Sequence, residues 1–533
     1  MPSTMTARPA PLPADPAADR LPDPAARRTA RAPGEGPNWR GVLASIDIGS
    51  NSFRLEIGQL RGGRYRRIDY LKDTVRLGAG LDAEGRLSNE AAERGLACLR
   101  RLRERLGDIP AAQLRAVATQ TLREATNRDA FLLRAAQALG HPIEVISGRE
   151  EARLIYKGVA RLQPSEQPRL VIDIGGRSTE MILGVGPLAL RAESFRIGSV
   201  SLSMAHFADG RYSAEGFQAA QVAAGAELEE ALEPFARRHW VEALGSSGTA
   251  GAVSQLLQAS GITDGTITPD GLRWCIQACL RAGSVERLDL PGLKPERRAV
   301  IGGGLAILST LAAQFGIEAL QPARGALRQG VIFDLDERLA AERAPEHHDL
   351  RDASVAELQQ RFQVDVAQAH RVQQVARSLH ERLAPKAPLE LQRELGWAAA
   401  LHEMGMMVSH HDHHRHSAYL LGHVDAAGFS QSQQRHLGEL VLGQRGGLRK
   451  VEAALAEPAF AAQLLALRLA VLLCHARGSV GVLLPGLNSD GRVARLTSPA
   501  GWLEQFPRAA YLLREEARAW SRATPLRLQI DGL

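Results

Sequence analysis

Apolar positions in the first part of this chain fall in short runs broken by Gly/Ser turns. Residues 42–48 and 53–60 flank the turn Gly49-Ser50-Asn51-Ser52, and 170–174 and 179–185 flank Gly175-Gly176-Arg177-Ser178. Each set predicts a strand, a tight turn and a return strand. Helical spacing predicts helices over 88–106, 128–139, 148–162, 214–236 and 269–281, with further strands at 114–118 and 143–147. Strands alternating with helices predict α/β lobes. Beyond residue 350 strand signals nearly vanish and helical runs extend over 355–473. A last stretch, 494–533, holds a short strand or two and a closing helix over 511–520. The expected organisation is a basic, disordered tail at 1–40 and lobes at 41–154 and 155–340. A helical region at 350–490 and a closing segment at 491–533 complete it, with a charged linker at 342–352 broken by Pro345.

Composition narrows this picture only a little. A chain of 533 residues with 45% hydrophobic content is long enough for several ordinary cores. No apolar run of bilayer-spanning length is expected, and the Pro-, Ala- and Arg-rich start lacks the apolar stretch of a secretory signal. Cys98, Cys275, Cys279 and Cys474 form no Cys-x-x-Cys pair, which predicts a reduced compartment; Cys275 and Cys279 read as core thiols on one helix. A formal charge of +6 and a pI near 9.4 favour an anionic partner without naming it. No recognisable DNA- or RNA-binding signature accompanies that charge.

The candidate chemistry sits in the two turns. Both centre on Asp-Ile-Gly followed closely by Ser, with Asp47 and Asp173 at a spacing of 126. Glycine lets the backbone approach an anion, and successive turn N–H groups make a concavity for phosphate oxygens. An Asp just before such a turn is placed to hold Mg²⁺ beside that phosphate. Two copies predict two similar lobes facing each other across a phosphate-filled cleft. Ser147-Gly148-Arg149-Glu150-Glu151 opens the helix over 148–162, with Ser147 and Glu150 fitting a capping box. Glu151 falls on the same face as Ile155, Val159 and Leu162, all within about 80° of it. An ionised carboxylate at the start of a buried stripe is a candidate to deprotonate water. The competing reading is a structural ion pair to Arg123 or Arg153. The turn 244–249, before a helix, could bind phosphate through helix N–H groups, and Gly302-Gly303-Gly304 forms another glycine turn before a helix over 305–315.

Four motifs in order resemble one family: Asp47-Ile-Gly-Ser-Asn-Ser-Phe, Ser147-Gly-Arg-Glu-Glu-Ala-Arg-Leu-Ile, Val171-Ile-Asp-Ile-Gly-Gly-x-Ser-Thr-Glu180 and Gly245-x-Ser-Gly-Thr249. They look like the exopolyphosphatase/guanosine pentaphosphate phosphohydrolase family, of the sugar kinase, Hsp70 and actin superfold. The resemblance runs from residue 42 to the C-terminus. It implies two actin-like lobes followed by a mostly helical region related to HD phosphohydrolases. It assigns Glu151 to water activation and Asp47, Asp173 and Glu180 to Mg²⁺. Ser50, Asn51, Ser52, Arg123, Gly175, Gly176, Ser178, Gly248 and Thr249 would surround phosphate. Arg177 departs from the family, which usually has a small residue there. In the helical region His402-Glu403 replaces the His-Asp pair of an active HD site; the dense set His410, His411, Asp412, His413, His414 and His416 has the composition of a metal site, but the altered pair favours a polar, partly basic surface lining the substrate channel.

The function expected from this resemblance is Mg²⁺-dependent release of terminal orthophosphate from inorganic polyphosphate. The alternatives are hydrolysis of guanosine pentaphosphate (pppGpp) and a non-catalytic sensor of polyphosphate or alarmone. A homodimer without a nucleic-acid partner is expected, in the cytoplasm, with the basic surface suited to peripheral contact with the inner face of the membrane.

Overall fold

A computed structural model describes residues 41–343, 349–477, 486–498, 501–523 and 526–531; the expected N-terminal tail and the middle of the linker lie outside them. The first sheet is β1 (Val42–Ile48), β2 (Phe53–Arg61), β3 (Arg64–Asp73), β4 (Leu114–Ala118) and β5 (Ile143–Val145), in the order β3-β2-β1-β4-β5. The second is β6 (Arg169–Ile174), β7 (Thr179–Val185), β8 (Leu188–Phe195), β9 (Glu242–Ser246) and β10 (Leu320–Pro322), ordered β10-β9-β6-β7-β8. The two sheets share one topology: an antiparallel three-strand meander joined through its first strand to two parallel strands. Even the irregularities match. The register shifts between Ile57 and Gly58 in one sheet and between Leu183 and Gly184 in the other, again 126 apart. Each of these glycines makes room for a tyrosine ring; a Cβ would lie 2.8 Å from Tyr65 Cζ at Gly58 and 2.5 Å from Tyr156 Cε2 at Gly184.

The helices around the sheets are α1 (Asn89–Leu106), α2 (Gln120–Glu124), α3 (Arg128–Leu139), α4 (Gly148–Leu162), α5 (Ser199–His206), α6 (Ala214–Glu227), α7 (Ser247–Ala259), α8 (Pro269–Ala282), α9 (Arg298–Phe315) and α10 (Leu327–Arg343). Two of them cross between the lobes. Helix α4 packs on β7 and β8 of the second sheet, while α10 returns to β1, β2 and β4 of the first. They touch backbone to backbone: a Cβ on Gly158 would lie 2.9 Å from Gly330 N, so only glycine allows the approach.

Three expectations change. Helix α6 stops at Glu227 rather than continuing to 236, and short turns lead through Pro234, which cannot donate to a helix. Gly302, Gly303 and Gly304 lie inside α9, not in a turn before it. Their missing side chains let α9 close on its neighbours: a Cβ would lie 2.8 Å from Tyr212 at Gly302, 2.7 Å from Ser203 N at Gly303 and 2.6 Å from Thr249 at Gly304. Packing has overridden poor helix propensity. The stretch Pro295–Phe315 is long and apolar enough by composition to span a bilayer, contrary to the sequence reading, yet its apolar residues belong to the core of the second lobe.

From Leu350 to Leu473 the chain is helical among the described residues. The strands Gly486–Ser489, Val493–Thr497 and Arg527–Asp531 and the helix Pro507–Ala523 share its core through Leu487, Leu496, Leu513 and Trp520. All four cysteines are free and buried.

Candidate active site

The two Asp-Ile-Gly turns face each other. A Cβ on Gly176 would lie 3.2 Å from Ser50 Cβ and 3.7 Å from Asn51 N. Both turns close the same way, Gly49 N donating to Ser52 O (3.3 Å) and Gly175 N to Ser178 O (2.9 Å). Between them lies a cavity of about 70 Å³. Its lining brings together the sequence-predicted Asp47, Ser50, Asn51, Ser52, Asp173, Gly175, Gly176, Ser178 and Glu180. Glu151 at the start of α4 and Gly248 and Thr249 at the start of α7 join them, so that every predicted residue but Arg123 lines the cavity. Helix α7 thus presents its N-terminal end, where backbone N–H groups lack intrahelical partners. Thr249 spends its hydroxyl on Ile174 O (2.9 Å), tying that helix to the second turn.

Asp47, Asp173, Glu151 and Glu180 are all buried around this small cavity. Burial raises the pKa of Asp47, against the charges of Arg54 and Arg328. Burial also raises that of Asp173, opposed by hydrogen bonds from Ser247 and Ser246. Glu180 is raised well above the usual carboxylate range by burial and then by the charges of Glu151 and Asp173. Four buried carboxylates whose pKa values burial raises, offering only hard oxygens, fit a hard divalent cation such as Mg²⁺. Among the described residues, however, no three His, Cys, Asp or Glu side chains form a metal cage by themselves. The expected trio Asp47, Asp173 and Glu180 is therefore not a closed centre. Glu180 accepts from Ser194 Oγ at 2.8 Å, and a cation here needs ligands from the substrate as well.

Glu151 shows both features that its position allowed. It lines the cavity, and its Oε2 accepts from Arg123 Nη1 at 2.7 Å. Burial lifts its pKa to about 7 in spite of that pairing. Arg123, expected among the phosphate ligands, does not line the cavity. Its guanidinium donates to Glu151, to Gln120 Oε1 and to Ile146 O, so its donors are committed within the protein. The capping box is only half formed. Ser147 Oγ accepts from Glu150 N (3.1 Å), but the Glu150 carboxylate pairs with Arg153 and accepts from Gly428 N (3.0 Å) in the helical region.

The site also contains residues that the sequence reading missed. Arg54, Arg297, Arg328, Thr119, Ser199 and Ser247 line the same cavity. Arg54 sits opposite Asp47 across β1 and β2, as Glu180 sits opposite Asp173 across β6 and β7. The repeat spacing of 126 connects Arg54 with Glu180 and was the available signal. Arg54 Nη1 and Arg328 Nη1 lie 3.6 and 3.9 Å from Asp47 Oδ2. Arg54 Nε and Arg328 Nη1 are buried donors with no hydrogen-bond partner. Arg54, Arg297 and Arg328 also line an adjoining vestibule of about 410 Å³, with Arg67, Lys72, Lys294 and Arg324. Among the described residues no acidic one lines it, though Glu296 stands 4.0 Å from Lys72 and Glu56 pairs with Arg328. The pKa values of Lys72 and Arg297 are lowered, by burial first and then by neighbouring cations. Such crowding of cations suits a polyanion.

Among the described residues, no three His, Cys, Asp or Glu side chains of the histidine-rich segment gather into a metal set. His402 Nε2 lies 3.9 Å from Glu403, which accepts from Arg477 at 2.7 Å. Burial pushes the pKa values of His413 and His414 down to about 4, so these two stay uncharged at neutral pH. Arg177 neither touches the cavity nor crowds its turn; it reaches across to Glu124 and Gly78 O in the first lobe.

Residues 57–339 match the model of the Ppx/GppA phosphatase family, and residues 350–517 match Ppx/GppA phosphatase, domain III. Among solved structures, an exopolyphosphatase-like protein is 26% identical, with a TM-score of 0.51, covering 56% of this chain and 99% of its own. An exopolyphosphatase from Cytophaga hutchinsonii is 24% identical over 55% of this chain and 98% of its own, also with a TM-score of 0.51, which bears on the fold alone. The two matches together span most of the described residues, and the chain belongs to the Ppx/GppA phosphatase family.

Proposed function

We propose that this phosphatase is an exopolyphosphatase, releasing orthophosphate from the end of inorganic polyphosphate. The observation that carries the reading is the vestibule: among the described residues seven basic ones and no acidic one line it, and it opens into a cavity of phosphoryl size. A linear polyanion can lay successive phosphates along such a surface. A guanine base would ask for a free aromatic or apolar platform. Tyr70, the one aromatic lining the vestibule among the described residues, already has the guanidiniums of Arg67 and Arg328 at 5.5 and 5.2 Å from its ring.

In this reading the terminal phosphoryl group lies between the two turns and the N-terminus of α7. Phosphoryl transfer asks mainly for alignment and charge neutralisation. Arg54, Arg297 and Arg328 supply positive charge from one side of the cavity. Asp47 and Asp173, with Glu180 beside them, would hold Mg²⁺, whose chemistry is neutralisation of charge on phosphate oxygens. Water attacks the terminal phosphorus, the bridging P–O bond breaks, and the bridging oxygen leaves with the shortened chain. Glu151 takes the proton of the water; a base with a pKa near neutrality is matched to that task. A general base contributes about 10²- to 10⁴-fold, and the remainder falls to electrostatics.

The test is phosphate release from long-chain polyphosphate and from pppGpp side by side, with and without Mg²⁺. Faster, Mg²⁺-dependent release from polyphosphate is expected. Higher kcat/KM on pppGpp would overturn the substrate assignment, and no release from either would leave a binding protein.

A further inference from the structure

One hydrogen-bonded chain runs from the second phosphate turn to Glu151. Arg177, inside that turn, donates from Nε to Glu124 Oε2 (2.9 Å) and from Nη1 to Gly78 O (3.2 Å). The other Glu124 oxygen accepts from Gln120 Nε2 (2.6 Å). Gln120 Oε1 in turn accepts from Arg123 Nε (3.0 Å) and Nη2 (2.6 Å). Arg123 Nη1 then donates to Glu151 Oε2 (2.7 Å) and to Ile146 O (3.0 Å). A carboxylate on one side and a guanidinium on the other leave the Gln120 amide only one orientation that satisfies both. Every link has a charged partner, and such bonds are the stronger kind.

The placement of the links gives the chain its meaning. Arg177 is carried by the second lobe, Glu124, Gln120 and Arg123 by α2 of the first, and Glu151 by the crossing helix α4. The first link can form only while the two phosphate turns are close, as Gly176 and Ser50 are. We propose that Arg177 is a positioning residue that couples closure of the two phosphate turns to the orientation of Glu151. Closure brings Arg177 onto Glu124; Glu124 then fixes Gln120, Gln120 fixes the plane of the Arg123 guanidinium, and Arg123 fixes the carboxylate that receives the proton. An open cleft leaves Glu151 less well held, so that water is not activated before the phosphate turns have met. This deepens the proposed function and rests on Glu151 as the base.

The experiment is steady-state phosphate release from polyphosphate with Mg²⁺ in Arg177→Met, Glu124→Ala, their double variant, Glu151→Gln, and Arg177→Met combined with Glu151→Gln. Arg177 does not line the cavity, so KM should stay within about twofold while kcat falls about ten- to a hundredfold, the scale of a misplaced catalytic group. The double variant should be no worse than the worse single one, because both cut the same chain. Arg177→Met should leave the residual rate of Glu151→Gln unchanged, and Arg177→Lys should recover part of the lost kcat by restoring one charged donor. Normal kcat in Arg177→Met, a rise in KM alone, or a full further loss in the Glu151→Gln background overturns the coupling. Near-normal turnover in Glu151→Gln overturns the base assignment instead, so the two failures are distinct. If Arg177→Met does not fold, Glu124→Ala, at a partly exposed position, decides the same question by the same criteria.

Discussion

Gly248→Ala separates the chemistry of this site from its folding. Gly248 is the second residue of α7, and the Arg297 guanidinium packs directly against it. A Cβ there would lie 2.8 Å from Arg297 Cζ and nearer still to Nη2. Ordinary van der Waals separation requires the guanidinium to retreat by about 1 Å or more. The obstacle is the far end of a flexible side chain, so the fold need not strain. Alanine within a helix even gains up to about 1 kcal/mol over glycine, so Tm should stay level or rise slightly. Arg297, however, joins the inner cavity to the vestibule. A phosphate charge about 4 Å from a guanidinium gains about 4 kcal/mol at an effective dielectric constant of 20, and a retreat of about 1 Å loses about 0.8 kcal/mol of that per phosphate charge. The expected result is about a fourfold loss in kcat/KM on polyphosphate, and about sixteenfold where two phosphate charges face the same guanidinium. Arg297→Gln should lose more, and the double variant should match Arg297→Gln alone. The assay pairs initial rates on long-chain polyphosphate with thermal denaturation. Wild-type kcat/KM in Gly248→Ala, or the same fold-loss again in the Arg297→Gln background, would refute the reasoning. So would a fall in Tm large enough to explain the lost activity.

Three further outcomes follow from the same geometry. Asp173 is a buried carboxylate whose pKa burial raises, so Asp173→Asn should stabilise the metal-free protein at pH 7, abolish the rise in Tm on adding Mg²⁺ and raise the Mg²⁺ requirement for activity; an unchanged Mg²⁺ response in both Asp173→Asn and Asp47→Asn would exclude them as ligands. Glu150→Ala should cost about 1–3 kcal/mol, read by denaturant unfolding, because it strands Gly428 N and removes one partner of Arg153; a loss below about 0.5 kcal/mol would show that the link between α4 and the helical region is idle. His413 and His414 have folded pKa values near 4 against 6.5 for the free side chain, so the unfolded chain binds more protons between those values; stability should fall as pH drops from 6.5 towards 4, and a His413→Gln/His414→Gln variant should show a flatter profile of Tm against pH, an equal slope counting against the argument. The same shifts mean that these two imidazoles add no charge for polyanion binding near pH 6.5.

What the sequence determined by itself is what depends on near neighbours. The two Asp-Ile-Gly turns were legible because a hairpin that brings a glycine Cα against a carbonyl is a local requirement, and its duplication announced two like lobes. Glu151 was legible because a carboxylate on the apolar stripe of a helix contradicts the helix pattern unless it has a task. Arg54 was nearly legible through the repeat, but arginine stands where the second copy has Glu180, and a charge of opposite sign hides the equivalence. Arg297 and Arg328 were not legible, for an arginine far along the chain looks like any solvated arginine until the fold turns it into the cavity, Arg328 within 3.9 Å of Asp47. Tertiary structure also decided between meanings that local pattern left equal. Glu150 fits a capping box in sequence, yet a charged partner in Arg153 and the Gly428 N–H outweigh its own N-cap backbone. Gly302, Gly303 and Gly304 read as a turn, yet the second lobe uses them to draw α9 against α5 and α7, because close helix packing repays more than the backbone entropy of three glycines costs. Arg123 follows the same rule: the sequence left it between a phosphate ligand, by family resemblance, and an ion-pair partner of Glu151, and the assembled lobes commit its donors to Glu151 and Gln120. Local chemistry names the residues that can act; long-range packing and charge pairing settle which way each one faces.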